Sequence, residues 1–173
     1  MKRILACKKI VIILLTVTIL STVFYAYVLA RPVSYGMSYH MEMEYENVTF
    51  EGTMRFFPDR TMVNLNSNLD NEVKSRYYYK NGYLFFTMAL TDEAYEKEVA
   101  SINDDFEKAV NSPFYAAKIN AFKLVSKGVD DNTTPYVCTS AIRFAVAFGV
   151  VEVLLIALSV TCLILSKKAK CEE

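Results

Sequence analysis

Apolar residues in this chain form two continuous runs near its ends, with shorter periodic stretches between them. The first run, residues 10–30, reads IVIILLTVTILSTVFYAYVLA, about 21 residues or roughly 30 Å as a helix, which is one hydrocarbon thickness. The second, residues 141–165, has about 25 residues, enough to cross with some tilt. Main-chain amides cannot stay unpaired in lipid, so an inserted run must be helical.

Lys2, Arg3, Lys8 and Lys9 precede the first run, and Lys167, Lys168 and Lys170 follow the second. Two short basic flanks place both termini in the cytoplasm and residues 31–140 outside. That middle segment carries 11 basic and 16 acidic side chains, a net of −5, so positive charge is depleted there as this topology requires. A competing reading treats residues 1–30 as a secretory signal with cleavage after Ala30 and a single span left behind. The apolar run exceeds the usual length of a signal core, which favours an uncleaved anchor.

Between the runs the period is two. Tyr35, Met37, Tyr39, Met41, Met43 and Tyr45 alternate with Gly36, Ser38, His40, Glu42, Glu44 and Glu46, the pattern of a half-buried strand. Val48, Phe50, Gly52, Met54 and Phe56 continue it after a two-residue turn at Glu46-Asn47, so Tyr45 meets Val48 and Tyr39 meets Met54. Pro58-Asp59 marks a turn before a weaker strand over 61–66. Residues 73–80 and 83–90 flank Asn81-Gly82, a type I′ turn pair, aligning Tyr79 with Leu84, Tyr77 with Phe86, Ser75 with Met88 and Val73 with Leu90.

The period then becomes helical. Tyr95, Val99, Ile102, Phe106 and Val110 share a face behind a Thr91 cap. A second helix is predicted from Ser112 and Pro113 to a stop at Gly128, with Tyr115, Ile119, Phe122 and Val125 on one face, and residues 129–136 form a polar linker. The expected fold is α+β: an antiparallel meander of about five strands in two hairpins, followed by two amphipathic helices and flanked by two transmembrane helices. The expected divisions are a basic tail (1–9), a first span (10–30), an extracytoplasmic domain (31–136), a second span (137–165) and a short tail (166–173).

Over all 173 residues, 19 basic and 19 acidic side chains cancel, which argues against a nucleic-acid partner. The four cysteines make no framework: Cys7 and Cys171 fall inside, Cys162 in a span and Cys138 outside, where an intermolecular bridge is the one pairing left to it. No catalytic or cofactor motif is present, so neither an enzyme nor a cofactor is expected.

Three groups of side chains remain as candidates. His40, Glu42 and Glu51 share the polar side of the first hairpin, where opposed carboxylates favour a divalent cation or simply face solvent. Tyr78 and Phe85 form a cross-strand pair on the face opposite the expected core, near Lys74, Arg76 and Lys80, and suit a contact surface unless helices cover it. In the second span Glu152 lies about ten residues, roughly 15 Å, below the outer end, where a carboxyl group needs a partner. Ala141, Ala145 and Gly149 lead to it as a small-residue stripe that lets helices approach closely. Thr18, Ser21 and Thr22 of the first span reach a comparable depth and can supply hydroxyl partners; the alternatives are a recruited partner span, self-association or an ion pathway.

The expected protein is thus a small integral membrane protein whose partners are the bilayer and a membrane complex. It acts non-enzymatically there as an accessory, interaction or sensory subunit. The alternative is a membrane-anchored surface domain that binds a ligand or metal. Asn47-Val-Thr49 and Asn132-Thr-Thr134 match the glycosylation sequon on the outer side.

Overall fold

A computed structural model describes residues 2–66, 69–87, 89–112, 116–126 and 134–171. In chain order the elements are α1 (Lys2–Ala30), β1 (Ser38–Tyr45), β2 (Val48–Phe56), β3 (Thr61–Asn66), β4 (Leu69–Lys80), β5 (Tyr83–Thr87), α2 (Asp92–Asp104), α3 (Phe106–Val110), β6 (Ala116–Ile119), β7 (Lys123–Ser126), β8 (Tyr136–Val137) and α4 (Thr139–Cys171). They divide into two compact units, Arg31–Ile142 and the paired terminal segments Met1–Ala30 and Arg143–Glu173. Two helical segments, Lys9–Ala30 and Thr139–Lys168, of 22 and 30 residues, are long and apolar enough to cross a membrane.

The middle unit overturns the predicted meander with two covering helices. It is a closed antiparallel barrel of eight strands in which each strand pairs with the next and β8 returns to β1. Both predicted tight turns form. Glu46 and Asn47 take φ of 49° and 66°, and β1 and β2 pair Tyr45 with Val48, Met43 with Phe50 and Tyr39 with Met54. Asn81 and Gly82 take φ of 50° and 83° and join Tyr79 to Leu84 and Tyr77 to Phe86. The strand expected over 83–90 stops at Thr87, and Leu90 is exposed; Met88, the expected partner of Ser75, lies outside the described residues.

The second correction concerns residues 112–128. The expected helix is a hairpin, β6 with β7, in which Lys118 meets Val125 and Ile119 meets Leu124. Asn120 fixes its turn: the side-chain oxygen accepts from Phe122 N–H and Lys123 N–H, each at 2.8 Å. Ala117, Ile119 and Leu124 are buried while Lys118 and Lys123 are exposed, an alternation that the coarser helical spacing concealed. Pro113, Tyr115 and Gly128 lie outside the described residues, as does most of the expected linker. The linker's last residue, Tyr136, belongs instead to β8, which closes the barrel through Val137 opposite His40.

Eight strands leave an interior just wide enough for side chains to fill. Tyr39, Phe56 and Tyr77 stack edge to face down its middle, with ring centroids 5.4 and 5.3 Å apart. One end is plugged where the chain enters and leaves: Val33, Cys138 and Ala141 all join the core of Tyr39, Leu84 and Leu124. Ser34 N–H donates to the Tyr39 hydroxyl at 2.9 Å, and that hydroxyl donates to the Asn120 carbonyl at 2.9 Å. Cys138, for which an intermolecular bridge was the one pairing expected, is a free thiol buried at 0% exposure. Further along the barrel the Tyr136 ring crosses β2 at Gly52, where an added Cβ would lie 2.9 Å from the phenol oxygen.

The helix expected after Thr91 is present, with Thr91 Oγ1 accepting from Ala94 N–H at 3.2 Å, and it breaks at Asp105 into α2 and α3. Tyr95 anchors it: its hydroxyl donates to the Tyr77 carbonyl at 2.9 Å, and the Arg60 and Arg76 guanidinium groups lie 5.8 and 5.5 Å from its ring centre.

Two outcomes test this packing. Gly52→Ala should lower unfolding stability by about 1–3 kcal/mol in chemical denaturation, with partial recovery when Tyr136 is also changed to Leu. Burial pushes the Tyr39 phenol up to about 12 from its ordinary 10.0, so its contribution is complete below pH 10 and lost as pH rises toward that value. Tyr39→Phe should therefore melt lower at pH 7, through its lost hydrogen bonds, yet lose less further stability between pH 10 and 12 than the parent. Parallel pH profiles would contradict this.

Candidate functional site

Thr18, Ser21, Thr22 and Tyr25 recur at three- and four-residue intervals, which places them on one face of α1. The same spacing on α4 aligns Gly149, Glu152 and Ser159. Of the three hydroxyls expected to reach the carboxyl group, two do: Ser21 Oγ donates to Glu152 Oε2 and Thr22 Oγ1 to Oε1. One turn away Thr18 Oγ1 and Ser159 Oγ are 2.8 Å apart. Glu152 is 5% exposed and Ser159 4%, whereas Val150, Val151, Val153 and Leu154 around them are exposed. Polar groups thus line the seam between the helices and aliphatic ones its outside. The pairing is antiparallel, because lower positions of α1 meet higher positions of α4.

Gly149 makes room for a side chain of α1. A Cβ there would lie 2.8 Å from the Tyr25 hydroxyl, and the Tyr25 ring stacks on Phe148 with an interplanar angle of 9°. Tyr25 was not singled out in the sequence; the signal was its place seven residues beyond Thr18. The small-residue stripe is divided. Gly149 and Glu152 face α1, Ala145 is buried, and Ala141 belongs to the barrel core rather than to the helix pair.

The barrel candidates fare differently. Tyr78 and Phe85 stand opposite each other as expected, but their face is not an open contact surface. Phe85 is 1% exposed beneath Ile102, Phe106 and Val110, and the Tyr78 hydroxyl donates to Asn103 Oδ1 at 3.0 Å, so α2 and α3 cover the pair. Glu42 and Glu51 are directly opposed across β1 and β2, while His40 Nδ1 lies 3.1 Å from Thr53 Oγ1. Among the described residues no group of three His, Cys, Asp or Glu side chains is placed to hold a metal ion.

Other polar side chains of the barrel have shifted proton affinities. Burial raises the Tyr77 and Tyr136 phenols above their ordinary value, and two hydrogen bonds from Thr61 hold the exposed Asp59 carboxyl below its own.

The seam makes an asymmetric expectation. Glu152→Leu removes the carboxyl and leaves Thr22 Oγ1 its own-helix partner, the Thr18 carbonyl at 2.9 Å. Ser21→Ala with Thr22→Val instead leaves the carboxyl shielded and without partners. The double variant should weaken association of the two helices by about 1–3 kcal/mol, and Glu152→Leu by less, in detergent micelles with a fluorophore pair on the helix ends. The reverse order would show that the hydroxyls are not what satisfies Glu152. No known protein family, curated protein or solved structure matches the chain.

Proposed function

We propose that this is a two-span membrane protein with both termini in the cytoplasm. It holds the barrel on the outer side and acts there by contact, as a non-enzymatic accessory or sensory subunit. The observation that carries the reading is the engagement of Glu152 by Ser21 and Thr22. A carboxyl group at mid-span is unfavourable by a few kcal/mol unless partnered, and here the partners come from the N-terminal helix of the same chain. Cleavage after Ala30 would remove both donors, so the reading keeps α1 as a permanent anchor. Basic residues at 2–9 and 167–170, against the net −5 of residues 31–140, support the orientation.

Pairing within the chain also changes the expected role of the second span. With Glu152 and Gly149 turned to α1, the span does not need an outside partner for its carboxyl group. Partner contact then falls to the barrel. Its interior, filled by Tyr39, Phe56, Tyr77 and Leu84, favours recognition at the surface over carriage of a ligand inside.

Asn47 reports the orientation, since it sits exposed at a turn with Thr49 two residues on. Expressed in a eukaryotic secretory system, the chain should gain an endoglycosidase-sensitive mass shift that Asn47→Gln diminishes or removes. It should also retain an N-terminal tag on α1. A glycan on an engineered sequon in the C-terminal tail, or loss of the tag, would refute the topology.

A further inference from the structure

Charge is sorted along the barrel axis. Arg31 follows α1 and Cys138 precedes α4, so the chain enters and leaves at the end plugged by Val33 and Cys138. The β6–β7 turn lies at this end, where Ser34 Oγ and Cys138 N–H donate to the Ala121 and Phe122 carbonyls. The end of β2 lies here too, since Gly36 N–H donates to the Phe56 carbonyl at 2.9 Å. The turns at this end, residues 57–60, 81–82 and 120–122, are all among the described residues.

Three strands bring cations to one corner of this end. Lys118 of β6 and Lys123 of β7 are exposed next to the turn, and Lys118 faces Val125, two residues along from Lys123 on the same side. The two lysines are thus diagonal neighbours, with backbones roughly 7–8 Å apart. Lys123 is opposite Val137, Val137 opposite His40, and Arg55 of β2 opposite Ser38, so the wall continues through β8 and β1 to a third exposed cation. Glu42 and Glu44 stand further along β1, toward the Glu46-Asn47 turn at the far end. The acids of α2 accompany the other wall, β4 and β5, and Asp92 and Glu96 pair with Arg76 and Arg60. Among the described residues neither Lys118 nor Lys123 takes part in an ion pair.

We propose that this corner of the barrel rests against anionic phospholipid headgroups, with Lys118, Lys123 and Arg55 as the contacts. Arg31 adds a fourth cation where the chain enters. Tyr35, close by in the chain, is 44% exposed and is of a residue type that settles at headgroup depth. With α1 and α4 in the bilayer, the links at Arg31 and Cys138 keep this end near its surface. The attraction of cations to anionic headgroups acts within about a Debye length, roughly 8–10 Å, so it rewards cations at this end and not at the far one. The inference rests on both helices spanning the bilayer. It does not rest on which side the barrel lies, which the glycan experiment decides.

The test uses the full chain in phosphatidylcholine nanodiscs. The chain has no tryptophan, so Tyr35→Trp supplies a single fluorescent reporter. Its quenching is compared for trace phosphatidylglycerol and trace phosphatidylcholine, each carrying a nitroxide high on the acyl chain, at equal mole fraction. Labelled phosphatidylglycerol should quench about threefold more, or better, through its enrichment beside the barrel. Lys118→Gln with Lys123→Gln should cut that excess by about half or more. Lys97→Gln with Lys108→Gln removes the same charge from α2 and α3 and should leave it unchanged, and circular dichroism should show each variant folded. Equal quenching by the two lipids would overturn the proposal. So would an excess that the β6–β7 pair of substitutions does not reduce, or that the α2–α3 pair reduces as far. A chain that fails to enter nanodiscs would refute the two-span reading and this contact together, whereas insertion with equal quenching refutes the contact alone.

Discussion

Glu152 cannot lie within an apolar helix without hydrogen-bond partners, and meeting that need ties the two ends of the chain together. The partners, Ser21 and Thr22, come from a helix some 130 positions earlier. Once they are engaged, the register of α1 against α4 follows. Thr18 falls opposite Ser159, Tyr25 falls on Gly149, and the aliphatic side chains of both helices turn outward. A polar group that is unfavourable by itself thereby selects one pairing among many that bare aliphatic surfaces would allow. The selection works through the alternative: a register that moves Ser21 and Thr22 away takes these partners from the carboxyl group.

The barrel solves a similar problem with main-chain groups. An open sheet of this length would present two unpaired edges, and the closure of β8 onto β1 removes much of both. It requires only two residues, Tyr136 and Val137, because the segments on either side of the barrel sequence act as plugs. Ser34 Oγ donates to the Ala121 carbonyl at 2.7 Å, and Cys138 N–H donates to the Phe122 carbonyl at 2.8 Å. Both bonds end on the turn between β6 and β7. The hairpin misread as a helix is thus the element that receives both segments, and Asn120 shapes the turn that receives them.

What the sequence made legible follows from the range of the forces involved. Tight turns and strict alternation are local, so β1 with β2 and β4 with β5 could be aligned residue by residue. The Thr91 cap and the face through Tyr95 and Val99 are equally local. The β6–β7 hairpin was not legible, because Ile119, Phe122 and Val125 satisfy a helical spacing as well as Ala117, Ile119 and Leu124 satisfy a strand one. The choice rests on β5, which needs a neighbour that sequence does not display. Barrel closure was hidden for the same reason, since two residues carry no period. Of the candidate site, depth along each apolar run was enough to bring Ser21, Thr22 and Glu152 together. The reach of Tyr25 across Gly149 was not readable, because it depends on which faces meet.

Tyr78 and Phe85 show how a dense aromatic stretch differs from an open surface. They set aromatic side chains beside charged ones on a strand pair, but α2 and α3 use that apolar surface, and Lys80 is engaged with Asn103 at 2.5 Å. Aromatic density along a strand is a local property, whereas the cover over it comes from elements later in the chain, so the first does not report the second.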